Sequence, residues 1–472
     1  FLGAGLEPAG TNGDWFQPVP LRSAELESAT MEIRVGKRWV PLEWKEEFAV
    51  VADPERTLSS VEGEVVFVGF GITAPEMGWD DYAGVDVRDR IVIALRNAPS
   101  AFPSSQRAHY ASTSEKRRNA AAHGANGLIE LSSPREEERV SWPVLAGYSD
   151  HPTMRWIEPD GDLHEGLFGL RAHARISRAG AERIFERSEL SLDELFEKAD
   201  RGERTGSFPI GGEIRIQSSS NHRHLESPNV VGMVRGSDPD LRNEFVLLIA
   251  HLDHVGRRGE EIFNGAYDNA SGVAALIAVA EAFSRLGKAP PRSVGFLAVT
   301  GEEKGLLGAD YFAHAPTEPV GEIVAAFSLD MFLMLFPMHD IVAFGAEHSS
   351  LGGSVAAAAS AMGVNLSPDY APEEVLFVRT DHYPFVKRGV PALYLDHGLD
   401  TGDPAIDGEE LVRNWMKEVY HKPGDDLTQY FDWMAGADFA RLNLLLAWKV
   451  ASDPERPTWN EGDFFGERFG TR

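Results

Sequence analysis

The chain contains no cysteine. That rules out disulfides and thiolate metal sites, so any metal must be held by His, Asp and Glu, a donor set that suits an open catalytic site better than a closed structural one. No apolar run approaches the ~20 residues needed to span a bilayer. Basic residues are scarce: 45 Lys and Arg stand against 73 Asp and Glu, a formal charge of −28. Such a surface serves solubility and repels phosphate backbones and anionic lipid, which argues against nucleic-acid or membrane-surface partners. The opening FLGAGLEPAG has no initiator Met and no charged stretch leading into an apolar one. It reads as the end of a helix from a longer chain, and an upstream segment is expected.

At 472 residues the chain is too long for one simple core, so two domains are expected. Residues 15–68 carry short β-branched or aromatic runs (WFQPVPL, MEIRVGKRWVPL, EEFAVVA) between turn residues. GEVVFVGFGI (63–72), DRIVIALRN (89–97), EKRRNAAAHGA (115–125) and NGLIELSS (126–133) then read as strand, strand, helix, strand. With the polar helical stretch 178–202 they mark an insertion. From about residue 206 the pattern changes. EFVLLIA (244–250), SVGFLAVT (293–300), EIVAAFSLD (322–330), IVAFG (341–345) and PALYLDH (391–397) are near-continuous apolar runs, as in strands buried on both faces. Helical patterns such as 269–286 alternate with them. The expected fold is α/β, a three-layer sandwich with a mixed, largely parallel sheet, plus a smaller β-rich inserted domain. The expected divisions are 1–59 (N-terminal part of the main domain), 60–205 (insertion) and 206–472 (main domain).

Ligands of open α/β sheets sit outside the carboxyl ends of the strands. Five segments with metal-ligand residue types fall there: AHLDHVG (250–256), GAYDNASG (265–272), TGEEKGLLGA (300–309), SLDM (328–331) and YHKPGDD (420–426). His251 follows a buried strand and is well aimed for a metal, although spacing alone leaves His254 as a rival. Asp253 is placed to accept the second N–H of an imidazole. Asp268 sits where a helix N-cap would, yet Gly265 and Gly272 beside it permit close backbone approach. Glu302 and Glu303 leave a strand end in different directions, so one can bind metal while the other faces the attacking water. Asp330 closes an apolar strand. His421 lies on a loop after a polar helical segment, and Tyr420 offers a phenol for an oxyanion. Each residue alone has an ordinary explanation as cap, surface loop or packing. Together they supply two imidazoles and three carboxylates for two ions, with one glutamate to spare.

At these residues the chain resembles the co-catalytic di-zinc aminopeptidases, family twenty-eight of the metallopeptidases. The ordered set is AHLD (250–253), GAYDNASG (265–272), GEEKGLLGA (301–309), SLDM (328–331), TDHYPFVKRGVPA (380–392) and YHKPGD (420–425), covering about 206–450. The departures are Ser328 for Asn, Thr380 for Ser and Ala309 for Ser, none of them a ligand or the base. The resemblance implies two Zn2+ ions held by His251, Glu303, Asp330 and His421 with Asp268 bridging. It further implies Glu302 as general base, Asp253 as partner of His251, Tyr420 as a hydrogen-bond donor to the transition state, and Asp381 and His382 as support of the site wall. The insertion resembles a protease-associated domain, more weakly. The expected protein is a secreted or periplasmic metalloaminopeptidase acting on peptides with a free N-terminus. A dipeptidase or carboxypeptidase of acidic substrates would want clustered arginines, for which only Arg379 and Arg388 offer themselves. A non-catalytic receptor-like relative would have lost ligands, and this chain keeps them all.

Overall fold

Apolar patterning places the strands that carry the site. The computed structural model describes every residue except Arg187, Glu189, Thr471 and Arg472. In the C-terminal part the main sheet contains β1 (Glu244–His251), β2 (Ser293–Val299), β3 (Glu322–Ser328), β4 (Asp340–Phe344), β5 (Asn365–Ser367) and β6 (Ala392–His397). Their order is β5–β4–β6–β3–β1–β2, continued by residues 230–234 and then 7–8. β6, β3, β1 and β2 run parallel, β4 is antiparallel to β6, and 230–234 is antiparallel to β2. The sheet is mixed with a parallel centre, as expected. Register aligns the strand ends: His251 lies opposite Val299, and Ser328 opposite both Ile249 and Tyr394.

Every residue of β1, β2 and β6 is buried, so the sheet is covered on both faces. The helices are α1 (Gly272–Arg285), α2 (Leu307–His314), α3 (Leu351–Met362), α4 (Tyr383–Lys387), α5 (Gly408–Glu418), α6 (Trp433–Ser452) and α7 (Phe464–Phe469). Val246, Leu248 and Ala250 of β1 join one core with Leu276, Val279 and Phe283 of α1, Val355 of α3, and Leu442 and Leu446 of α6. Each such aliphatic or aromatic side chain contributes about 1.5–3 kcal/mol by leaving water. Alternate residues Phe245, Leu247 and Ile249 point to the other face and are equally buried. On that face α4 packs against β6 and α2, with Phe312 and Phe385 rings 6.4 Å apart. These are the three layers.

The opposite end of the sheet is pinned by Arg292, fully buried just before β2. Its guanidinium donates to Glu244 at 2.6 Å and to the carbonyls of Val450 and Pro454 at 3.3 Å, and to that of Asp453. A buried cation is tolerable when it is paired and bonded in this way. The end that carries the chemistry is therefore built on rigid strands anchored from below.

A second ion pair fixes the C-terminal helix. Asp463 caps α7 through the N–H groups of Phe465 and Gly466 and lies 2.6 Å from His348 Nδ1, while Glu347 lies 3.2 Å from Nε2. Burial opposes a charged imidazole here, but the two carboxylates outweigh it and push the His348 pKa up to about 9. A pKa raised in the folded state gives stability that is full below the unfolded value near 6.5 and fades as pH rises through about 9. His348→Phe is therefore expected to melt below the parent protein at about pH 6, with the gap closing at about pH 10. A gap that stays constant across that range in thermal melts would contradict the pairing.

The chain forms two compact units, 1–19 with 226–472, and 20–225. The insertion is thus larger than the expected 60–205. Both crossing points fall within strands, 16–35 and 207–234, where neither composition nor a turn marks them. Within the inserted unit, strands 58–68, 91–95, 127–131 and 172–176 are parallel neighbours, with 48–50 antiparallel at the edge. Parallel neighbours need crossover connections, and helices Ser104–Ala111 and Thr113–Ala122 lie on one of them. The unit therefore has helices alongside its strands. The expected helical stretch 178–202 consists of Arg178–Phe185 and Leu192–Asp200, with Arg187 and Glu189 outside the described residues.

Candidate metal centre

Five loops meet at the carboxyl edge of the sheet and bring the expected residues together. His251 ends β1. Its Nε2 is 3.1 Å from Asp330 Oδ1 and 3.4 Å from Asp268 Oδ1. On the other side of Asp268, Oδ2 is 3.1 Å from His421 Nε2, which is also 3.3 Å from Glu303 Oε1. The two oxygens of Asp268 thus face two separate donor sets, one with His251 and Asp330, the other with Glu303 and His421. Donors sharing a tetrahedral ion at about 2.0–2.2 Å lie roughly 3.3 Å from one another, and these pairs match that spacing.

Local folding explains the placement of Asp268. It is not a helix cap: α1 begins at Gly272, and its carboxylate is taken up by the imidazoles. Asp425 accepts the N–H groups of Tyr267 (2.8 Å) and Asp268 (3.1 Å). Asn269 donates to the Leu329 carbonyl at 3.0 Å, and its Oδ1 accepts from Gly272 (2.9 Å) and Met331 (3.1 Å). That amide joins the Asp268 loop to the Asp330 loop. A Cβ on Gly272 would come within 2.2 Å of both Asn269 Oδ1 and the Leu329 carbonyl, so this contact requires glycine. Tyr394 donates to the Asp330 carbonyl at 3.3 Å. Asp425 and Asn269 lie in the quoted motifs but received no role from the sequence, because side chains that serve only the backbone leave no ligand-type signal.

Asp253 does not make the contact expected of it. His251 Nδ1 lies 3.0 Å from the backbone carbonyl of Asp253, not from its carboxylate. With its Nδ1–H on that carbonyl, the imidazole would offer the Nε2 lone pair, on the side of Asp268 and Asp330, to an ion. The carboxylate instead accepts the N–H groups of Glu302 (3.0 Å) and Glu303 (3.3 Å). Asp253 therefore positions the imidazole with its main chain and the two glutamates with its side chain. A one-residue spacing cannot distinguish a carbonyl from a carboxylate as the acceptor.

Seven carboxylates crowd this end of the sheet, Asp253, Asp268, Glu302, Glu303, Asp330, Asp381 and Asp425. Burial raises Asp330, with repulsion from Asp268 and Asp396 adding to it and His251 opposing. Burial also carries Glu302 well above the ordinary carboxylate range, opposed by His251 and reinforced by Asp330, Asp381 and Asp268. Asp381 is pushed up to about 8, by burial and then by Asp330 and Asp253 against the pull of His251, and neither of its buried oxygens has a hydrogen-bond partner. Asp268 and Glu303 escape this. Burial opposes their charge, but His251 and His421 hold Asp268 low, and His254 and His421 bring Glu303 to about 2. His421 is raised to about 9, burial working against Asp268 and Glu303. Donor atoms of His251, Asp268 and Asp330, and likewise of His254, Asp268 and Glu303, lie within 4.8 Å of one another, and buried anion gathered in this way suits divalent cations.

The Tyr420 ring stacks on His421 at 3.8 Å and 24°. Burial keeps its phenol protonated far above the ordinary range, so it is a hydrogen-bond donor at working pH. His382 sits fully buried with Nδ1 2.7 Å from Thr380 Oγ1, and burial lowers it to about 3. It is neutral, as a wall residue would be. His254, the rival of His251, lies with the second donor set, 2.9 Å from Glu303 Oε1.

Comparison with known proteins gives the same outline. Residues 229–447 match the model of peptidase family M28. A probable leucine aminopeptidase 2 of Aspergillus oryzae is 29% identical over 230 residues, 46% of this chain and 43% of that protein. A probable zinc metalloprotease of Leptosphaeria maculans is 27% identical over 48% of this chain and 58% of its own length. The chain spans about half the length of the curated relatives it matches. Among solved structures, an aminopeptidase from Aneurinibacillus sp. strain AM-1 shares the fold at a TM-score of 0.51 and 20% identity, over 96% of this chain and 86% of that one. The matched segment contains every residue of the centre described above, and over that segment the chain is similar to peptidase family M28.

Proposed function

We propose that the protein is a zinc-dependent aminopeptidase that releases residues from peptides with a free N-terminus, working with two Zn2+ ions. One observation carries the reading: Asp268 presents one oxygen to His251 and Asp330 and the other to Glu303 and His421. The relatives named aminopeptidase and zinc metalloprotease support it.

His251, Asp268 and Asp330 would hold one ion, and Asp268, Glu303 and His421 the other. Ions bound there supply Lewis-acid polarisation of the scissile carbonyl and a lowered pKa for the attacking water. The protein supplies the rest. Glu302, held at the strand end through its N–H on Asp253, takes the proton from the water and returns it to the leaving amine. Its raised proton affinity suits both steps. Tyr420 donates to the oxyanion as charge develops.

The charge of the site bears on which end of the peptide enters. The carboxylates gathered around the ion positions favour an α-ammonium over an α-carboxylate. Among the described residues the acidic-substrate reading finds no arginine cluster: Arg379 lies 3.4 Å from Glu374, and Arg388 is exposed. The non-catalytic reading requires lost ligands, and none is lost. We read unit 20–225 as the protease-associated insertion of this enzyme.

The test is a pair of substrates. Leucyl-p-nitroanilide should be cleaved and its N-acetylated form left intact. Equal cleavage of both forms would contradict an aminopeptidase.

A further inference from the structure

His254 has no role in the reading above, yet it is buried at the centre, its side chain 7% exposed. Its Nδ1 lies 2.9 Å from Glu303 Oε1 and 3.7 Å from Asp268 Oδ2. The first distance is short enough for a hydrogen bond, but the atoms are not aligned for one. Both ring nitrogens, and Glu303 Oε1 itself, are buried without a hydrogen-bond partner. Leaving such groups unpaired costs about 1–3 kcal/mol each. Lone pairs that approach closely without pointing at one another are arranged as donors to a common third atom.

The backbone makes room for this ring. Gly265 opens the Asp268 loop at φ +70, and a Cβ there would fall 2.7 Å from His254 Cγ. The glycine thus serves the left-handed turn and also the close approach of the imidazole. His421 approaches the same carboxylates from another loop, its ring 5.6 Å from that of His254 and inclined at 73°. The two imidazoles converge on Asp268 Oδ2 and Glu303 Oε1 from different directions.

We propose that His254 is a ligand, through Nδ1, of the ion held by Asp268, Glu303 and His421, an inference that rests on the two-ion reading. The two positions are then unequal. That ion has four protein side chains around it, whereas the ion of His251, Asp268 and Asp330 has three and keeps the more open coordination. The first is the tightly held ion and the second the exchangeable one. A neutral imidazole is the natural extra donor, since it adds no charge to a site already rich in carboxylates.

The experiment is zinc binding to metal-stripped full-length protein, in competition with a chromophoric chelator, for the parent protein, His254→Phe and His254→Asn. The parent protein should bind two ions of distinguishable affinity. His254→Phe should weaken the tighter one by roughly 100-fold or more, beyond the about 10–100-fold that loss of a partner outside the coordination sphere costs. His254→Asn separates ligation from hydrogen bonding, because it keeps an N–H near Glu303 but is a poor zinc ligand; it should bind as weakly as the Phe variant. Cobalt spectra add a readout independent of turnover, since the tighter site's absorption should change on losing a nitrogen donor. Unchanged affinity in His254→Phe, or recovery in His254→Asn, would overturn the ligand role while leaving the two-ion reading intact. Absence of zinc binding by the parent protein would overturn both. Unchanged circular dichroism of the stripped variants shows that the fold is retained.

Discussion

Replacing Glu302 with glutamine is expected to lower kcat by about 100- to 10,000-fold, the range general-base catalysis contributes, while zinc content stays at the parent level. The side chain is nearly isosteric, and its N–H remains on Asp253 Oδ1. What disappears is an oxygen able to accept the water's proton. Burial, opposed by His251 and reinforced by acidic neighbours, also raises the proton affinity of Glu302, whereas adjacent Glu303 is held at about 2 against the opposing effect of burial. The two residues are identical in kind and separated by environment: one faces His254 and His421, the other the anions. Glu303→Gln should therefore lose metal as well as activity, and Glu302→Gln activity alone. Metal analysis beside steady-state kinetics checks this, and near-normal turnover in Glu302→Gln would remove it from the role of base.

Asp268→Ala is expected to weaken the binding of both ions and abolish activity. Among the described residues no other side chain faces both donor sets, with Oδ1 toward His251 and Oδ2 toward His421. Its loss leaves His251 with Asp330 alone and Glu303 with the imidazoles, two incomplete sets. Asp330→Ala provides the contrast, since it strips one set only and should leave about one ion per chain. If Asp268→Ala retained two zinc ions, the carboxylate would not be a bridge.

Much of this arrangement was legible in the sequence because it rests on strand ends. Continuous apolar runs give buried parallel strands, and the residue after each run reaches the edge where ligands collect. His251 and Asp330 follow directly from that rule, and Asp268, Glu302, Glu303 and His421 from ordered motifs. The structure brings them all to one edge. Contacts made by the backbone were illegible: Asp253 serves His251 through a carbonyl, and Asp425 and Asn269 hold main-chain N–H groups of the Asp268 and Asp330 loops. His254 was visible only as a rival to His251. Two imidazoles three residues apart read as alternatives until the loop after β1 carries them to opposite sides of Asp268. The unit boundaries were hidden for another reason, since the chain passes between units within strands whose pattern does not change.

The most direct test of the account is reconstitution. Protein stripped of metal by chelation is titrated with zinc while bound metal and leucyl-p-nitroanilide hydrolysis are followed together. The account predicts no turnover in the stripped protein, recovery on zinc addition, and saturation at two ions per chain. Full activity in protein that carries no metal would contradict it.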